Sequence, residues 1–165
     1  VQTPPVVADP SDDVLADTAT QDAPAGRLRL DDQLCFALYA ATNEIVRVYR
    51  PLLAELGLTY PQYLLMMALW EQDDQPVTAL ARTLHLPAHG VLPVLTRLAE
   101  AGLVSRRPDP VDRRVTRVTL TPAGAALEGS AAAAQRVVAS RTRLAPDAFR
   151  ELRSGLHELS AVLRG

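Results

Sequence analysis

Asp109-Pro110-Val111-Asp112-Arg113-Arg114-Val115-Thr116-Arg117-Val118-Thr119-Leu120-Thr121-Pro122-Ala123-Gly124 is the stretch on which the fold turns. From Pro108 to Arg113 it is dense in proline and aspartate, which favours a turn. On either side the pattern has period two. Leu103-Val104-Ser105-Arg106-Arg107 precedes the turn, and Arg114 to Leu120 follows it with Val118 and Leu120 on one face. The spacing predicts a β-hairpin with arginines at its tip. Thr121 then caps a new helix, with Pro122 at its first position.

Upstream the period is helical. Leu34, Leu38, Ala41, Ile45, Val48 and Leu52 recur at three or four residues, predicting a helix from Asp32 to about Leu56 that Pro51 kinks or divides. Gly57 is placed to end it. A second helix starts around Thr59-Tyr60-Pro61 and runs to Trp70, apolar nearly all round, as a central core helix is. Glu71–Gln75 reads as a polar turn, Pro76–Leu84 as a short helix and His85-Leu86-Pro87 as a second turn. Ala88–Ala101 follows as a helix that Gly102 stops. Downstream, the helix opened by Thr121 is expected to reach about Leu144. A last helix covers about Asp147–Leu163, with Phe149, Leu152, Leu156, Leu159 and Leu163 on one stripe.

Two short helices joined by a tight turn and followed by an arginine-tipped hairpin describe a winged helix-turn-helix. The expected fold class is mainly α with a small β-hairpin. Residues 97–117 hold Arg97, Arg106, Arg107, Arg113, Arg114 and Arg117 against Glu100, Asp109 and Asp112. This surplus of positive charge suits the sequence-independent part of DNA binding. The helix from Ala88 would enter the major groove by its N-terminal end, and a wing-tip arginine would reach the minor groove.

Composition narrows the remaining classes. The chain has 165 residues and a formal net charge of -2. Its first 26 residues carry Asp9, Asp12, Asp13, Asp17 and Asp22 with no basic residue, so the remainder is net positive. That proline- and alanine-rich segment, 1–26, is expected to be a disordered acidic tail ahead of one domain over 27–165. All 17 basic residues are arginine. The three histidines, His85, His89 and His157, lack metal-binding spacing, and one cysteine excludes an internal disulfide. No metal and no cofactor are expected. No apolar run approaches a membrane span and no secretory signal is evident, so the expected location is cytoplasmic.

The single cysteine lies in Asp31-Asp32-Gln33-Leu34-Cys35-Phe36-Ala37-Leu38-Tyr39. Asp31 or Asp32 can cap the helix start, which places Cys35 about one turn inside it. The positive end of the helix dipole there favours the reactive thiolate, while the two carboxylates oppose it. Taken alone, a lone cysteine on such a helix reads first as a small core hydrophobe.

The chain resembles the MarR family of winged-helix repressors over roughly Leu30 to Leu163, most clearly in the segment from Asp109 to Gly124. The resemblance implies a winged helix over about 58–121, with dimerisation helices at about 31–56 and 122–164. It also implies double-stranded operator DNA as partner, Arg114 in the minor groove and Asp112 holding the tip. The expected DNA-binding residues are Ala88, His89, Thr96, Arg97, Arg106, Asp112, Arg113 and Arg114. Three further blocks, Leu30 to Tyr39, Tyr49 to Leu53 and Leu58 to Leu64, are similar to the organic-hydroperoxide-sensing (OhrR) subgroup. That similarity implies Cys35 as peroxide sensor. It implies Tyr49 and Tyr60 as hydrogen-bond donors to its sulfur across a homodimer interface, with Tyr39 close by. Phenol donors stabilise a thiolate.

Two features depart from the subgroup. The recognition stretch Leu86-Pro87-Ala88-His89-Gly90-Val91-Leu92-Pro93 lacks the usual acid and hydroxyl residues, which implies a similar docking mode on a different operator. No second cysteine is present to close a disulfide. A sulfenic acid at Cys35 would then meet a low-molecular-weight thiol, form a sulfenamide or overoxidise. The function expected is a repressor released when organic hydroperoxide oxidises Cys35. The alternative is a repressor answering to a small aromatic ligand. An enzyme, a thiol peroxidase or hydrolase, would need a resolving cysteine or a nearby histidine, and neither stands close to Cys35 in sequence.

Overall fold

The computed structural model describes residues 28–165, and the acidic segment expected as a tail, 1–26, lies outside them. A single 3-10 turn, Leu30–Asp32, leads into α1, Leu34–Ala54. Pro51 does not divide α1. Proline removes one N–H from the helix ladder, and at this exposed position water can satisfy the freed carbonyl. Gly57 follows with φ +67°, the left-handed conformation that lets the chain reverse.

Helix α2, Tyr60–Glu71, buries Leu65, Met66 and Leu69 almost completely. Its start is fixed by Gln62, whose Oε1 accepts the Thr59 N–H at 2.7 Å. The expected polar turn after α2 is shorter than its sequence suggests. Gln75–Pro76 forms β1, which pairs antiparallel with a strand more than forty residues downstream. Gln75 is buried, and its Nε2 donates to the carbonyls of Ala68 at 3.0 Å and Gln72 at 2.6 Å, locking β1 to the end of α2.

Helices α3, Val77–Thr83, and α4, Ala88–Glu100, form the helix-turn-helix. His85 in the turn has φ +54°. The buried face of α4 is Val91, Leu95 and Leu98. Gly102 at φ +70° then releases the chain into β2, Val104–Pro108, which pairs antiparallel with β3, Thr116–Leu120. Val104 lies opposite Leu120, and Pro108 opposite Thr116. The sheet order β1-β3-β2 makes the last strand the central one. The wing is therefore a three-stranded sheet rather than a hairpin alone.

The helix expected from Thr121 to about Leu144 is two helices, α5 at Pro122–Ala126 and α6 at Glu128–Arg141. Thr121 caps α5 as expected, its Oγ1 accepting the Gly124 N–H at 3.0 Å. Gly124 is obligatory there, because a Cβ would stand 2.0 Å from the Leu103 carbonyl oxygen. Helix α6 packs on α2 and buries Ala131, Ala134 and Val138. Helix α7, Pro146–Val162, has no buried residue, and Phe149, Leu152 and Leu156 are 37%, 55% and 37% exposed. Among the described residues no helix is long and apolar enough to cross a membrane.

Candidate functional site

Cys35 is exposed and is the second residue of α1. The helix start rests on the Gln33 carbonyl, which accepts from the Phe36 and Ala37 N–H groups at 3.1 Å each. The expectation of an aspartate cap is corrected: Asp31 and Asp32 belong to the preceding 3-10 turn, and the first turn of α1 holds no acid. Asp32 pairs with Arg29 at 3.7 Å. Because α1 begins at Leu34, Cys35 lies in its first turn, where backbone N–H groups lack intrahelical partners.

Tyr49 and Tyr60 are brought together, and a third ring joins them. Centroids are 5.4 Å apart for Tyr49–Tyr60, 5.3 Å for Tyr49–Tyr63 and 6.2 Å for Tyr60–Tyr63, all tilted. Trp70 extends the cluster, 6.5 Å from Tyr63. Burial pushes all three phenols above the usual tyrosine range. For Tyr49 the neighbouring Tyr63 hydroxyl raises it further. These groups therefore keep their protons at neutral pH and remain O–H donors. Tyr39 is 65% exposed and belongs to none of the ring pairs. Tyr63 carries no separate sequence signal, since its place three residues after Tyr60 on an apolar helix looks like packing.

Two clefts flank the cluster. One, of about 440 Å³, is lined by Val46, Arg50, Leu53, Leu58 and Tyr60. The other, of about 320 Å³, lies between α2 and α6 and is lined by Tyr63, Met67, Trp70, Glu71, Glu128 and Gln135.

The second set of expected residues lies on α4 and the wing. Ala88 and His89 are exposed in the first turn of α4, Thr96 is half-buried and Arg97 is exposed. Arg106 on β2 donates from Nη1 to Thr96 Oγ1 at 3.3 Å, joining the wing to α4. At the tip, Asp112 Oδ1 accepts from the Arg114 N–H at 3.0 Å and from its Nε at 3.2 Å. Arg113 is exposed, and the Arg114 side chain is 92% exposed. Asp109 Oδ1 accepts the N–H groups of Val111 and Asp112 at 2.8 and 3.2 Å.

Not every arginine of 97–117 is free for a partner. Arg107 and Arg117 both pair with Asp74, and Arg117 also pairs with Asp109 at 3.2 Å. Asp74 lies well outside that stretch in sequence, so its charge did not enter the local balance. The arginines there without a carboxylate partner are Arg97, Arg106 and Arg113 among the described residues.

Residues 58–116 match the sequence profile described as the MarR family. The chain is 33% identical over 136 residues to the organic hydroperoxide resistance transcriptional regulator of Bacillus subtilis, covering 82% of this chain and 92% of that protein. The chain belongs to the MarR family. This MarR-family chain is also 37% identical over 150 residues to the transcriptional regulator TtmR of Methylorubrum extorquens, covering 91% of the chain and 75% of TtmR. Among solved structures it is similar to reduced AbfR bound to DNA, with a TM-score of 0.71 and 30% identity over 82% of this chain and 93% of that one. AbfR is a protein of Staphylococcus epidermidis that is also solved with a disulfide formed. The chain is thus a DNA-binding transcriptional regulator and not an enzyme.

Proposed function

We propose that this MarR-family regulator is a homodimeric repressor whose hold on operator DNA is set by the oxidation state of Cys35, with organic hydroperoxide as the oxidant. The observation that carries the reading is the state of the chain's one thiol. It is exposed, in a first helical turn free of acid. The Cys35 thiolate attacks the terminal oxygen of the peroxide, the O–O bond breaks, and the alkoxide leaves as an alcohol after taking up a proton. Sulfur keeps the oxygen as a sulfenic acid. A low-molecular-weight thiol then condenses with it, releasing water and leaving a mixed disulfide.

The tyrosine cluster supports the reading because its phenols stay protonated. The resemblance to the hydroperoxide-sensing subgroup implies that the sulfur of one subunit would meet Tyr49 and Tyr60 of the other, with Tyr39 nearby. The unburied apolar side chains of α7 support a dimer, since a stripe of this kind is stable in water when a second copy covers it. Two winged helices would engage half-sites about one helical turn apart, with Ala88, His89, Thr96 and Arg97 at the major groove and Arg106, Asp112, Arg113 and Arg114 on the wing side. The regulator would act in the cytoplasm.

The cleft beside Tyr63, Met67 and Trp70 favours one second reading, release by a small aromatic ligand with Cys35 incidental. A gel-shift titration on the DNA upstream of the protein's own gene separates the two. Cumene hydroperoxide is expected to release wild type and to leave Cys35→Ser bound. Release of both proteins, or of neither, defeats the redox reading.

A further inference from the structure

Residues four apart stack in rows along a helix. On α4 the rows pointing away from the core hold Ala88, Leu92 and Thr96, and beside them His89, Pro93 and Arg97. Leu92 is 44% exposed, although α4 has a fully buried face of Val91, Leu95 and Leu98 where a leucine would be satisfied. Leu86, in the turn before α4, is 47% exposed. Thr96 supplies the one hydroxyl of these rows, and it is already engaged. Its Oγ1 donates to the Leu92 carbonyl at 3.0 Å and accepts from Arg106 Nη1 at 3.3 Å. Among these six side chains only His89 and Arg97 have uncommitted hydrogen-bonding groups.

The occupant of this face follows from its charge and its chemistry. Arg97 lies on it, Arg106 reaches its edge at Thr96, Arg113 and Arg114 are exposed on the wing, and the first turn of α4 contains no acid. That arrangement complements a phosphate backbone. In the major groove the base edges offer acceptors, donors and one apolar group, the thymine 5-methyl. Leucine set against an acceptor or an amino group strips its water and returns no hydrogen bond, which costs affinity. Set against a methyl, it buries carbon on carbon.

We propose that α4 selects its DNA half-site through thymine 5-methyl groups packed on Leu92 and Ala88, with hydrogen-bond readout confined to His89 and Arg97. The proposal rests on the DNA-binding reading and names what that reading leaves open, the class of base that the helix prefers. The 5-methyl lies at different places in A·T and T·A pairs, so the operator half-sites would carry thymine at the positions that face Leu92 and Ala88.

The test uses the full chain, kept reduced. Duplexes are selected from a random library, and the enriched duplex is titrated as selected and again with deoxyuridine in place of thymine. Uracil keeps every hydrogen-bonding group of thymine and lacks only the methyl. Wild type is expected to lose about three- to fourfold in affinity for each contacted methyl removed, the equivalent of one methyl returned to water. Leu92→Ala is expected to bind the thymine duplex more weakly and to lose most of the discrimination. His89→Ala is expected to keep it. Leu92 is outside the core, so circular dichroism of Leu92→Ala should match wild type. Equal binding of thymine and uracil duplexes by wild type overturns the proposal while leaving DNA binding intact. Failure to enrich any duplex removes the DNA-binding reading, and the proposal with it.

Discussion

Arg117 Nε donates to Asp74 Oδ1 at 2.9 Å, tying the central strand of the wing to the turn ahead of β1. The other carboxylate oxygen of Asp74 accepts from Arg107 Nη2 at 2.8 Å, so one side chain holds both long strands. Arg117 Nη2 also donates to the Asp74 backbone carbonyl. Asp74 has φ +52°, a conformation that asparagine tolerates as readily as aspartate.

Asp74→Asn is therefore expected to keep the turn and loosen the wing. The Arg117 hydrogen bond, then the charges of Arg107 and Arg117, hold the Asp74 carboxyl below the usual range. The backbone N–H groups of Val111 and Asp112 do the same for Asp109. A carboxylate with a depressed folded-state pKa stabilises the fold fully above its unfolded pKa of about 3.9 and loses that effect as pH falls through the folded value. Thermal unfolding followed from pH 7 down to pH 2 is expected to show a shallower acid decline in Asp74→Asn than in wild type. Its DNA affinity at pH 7 is expected to fall. An acid limb identical to that of wild type would show that this pair does not stabilise the fold.

The wing arginines are expected to divide into two kinds. Arg114 projects from the tip and contacts only Asp112, its neighbour in the turn. Arg114→Ala is expected to weaken DNA binding, to lower the salt slope by about one, and to leave the melting temperature unchanged. Arg107→Ala removes a partner of Asp74 and is expected to lower the melting temperature with a smaller change in slope. Salt-dependent titrations with thermal scans of both variants test the division.

The tyrosine cluster has an alkaline signature. Burial raises the phenols of Tyr49, Tyr60 and Tyr63 above the ordinary value of about 10. A group whose folded pKa is raised contributes stability that is complete below the unfolded pKa and is lost as pH rises above it. Stability is expected to decline above about pH 10, with ionisation of these three phenols appearing together with unfolding rather than before it. Tyr49→Phe is expected to soften that decline. Ionisation of all four tyrosines while the far-ultraviolet spectrum stays native would contradict it.

Local chemistry made much of the fold legible in the sequence. Thr121-Pro122 at a helix start, and Gly57 and Gly102 after helix ends, each solve a backbone problem within a few residues. What escaped depends on partners distant in sequence. Gln75–Pro76 has too few residues to show an alternating pattern and becomes a strand only because β3 lies beside it. The break at Leu127 is invisible in a run of alanines that suits one helix as well as two. Pro51 suggested an interruption that a single lost hydrogen bond does not enforce. Resemblance pointed to Tyr49 and Tyr60, whereas Tyr63 and Asp74 owe their places to contacts that sequence spacing does not encode.

The junction around Gly124 gives α5 and α6 a fixed fulcrum. Trp70 Nε1 donates to the Gly124 carbonyl at 3.0 Å, Thr121 Oγ1 donates to the Gly102 carbonyl at 2.7 Å, and the Thr121 N–H donates to the Leu103 carbonyl at 3.0 Å. Helix α2, the start of the wing and the start of α5 thus share one rigid joint with no room for a methyl group. Leu127 is the first break in the helix beyond that joint. A tilt imposed on α6 has two outlets: it bends the chain at Leu127, or it turns joint and wing together like a lever. Stiffening or loosening that one position would set how much of a tilt of α6 reaches the wing.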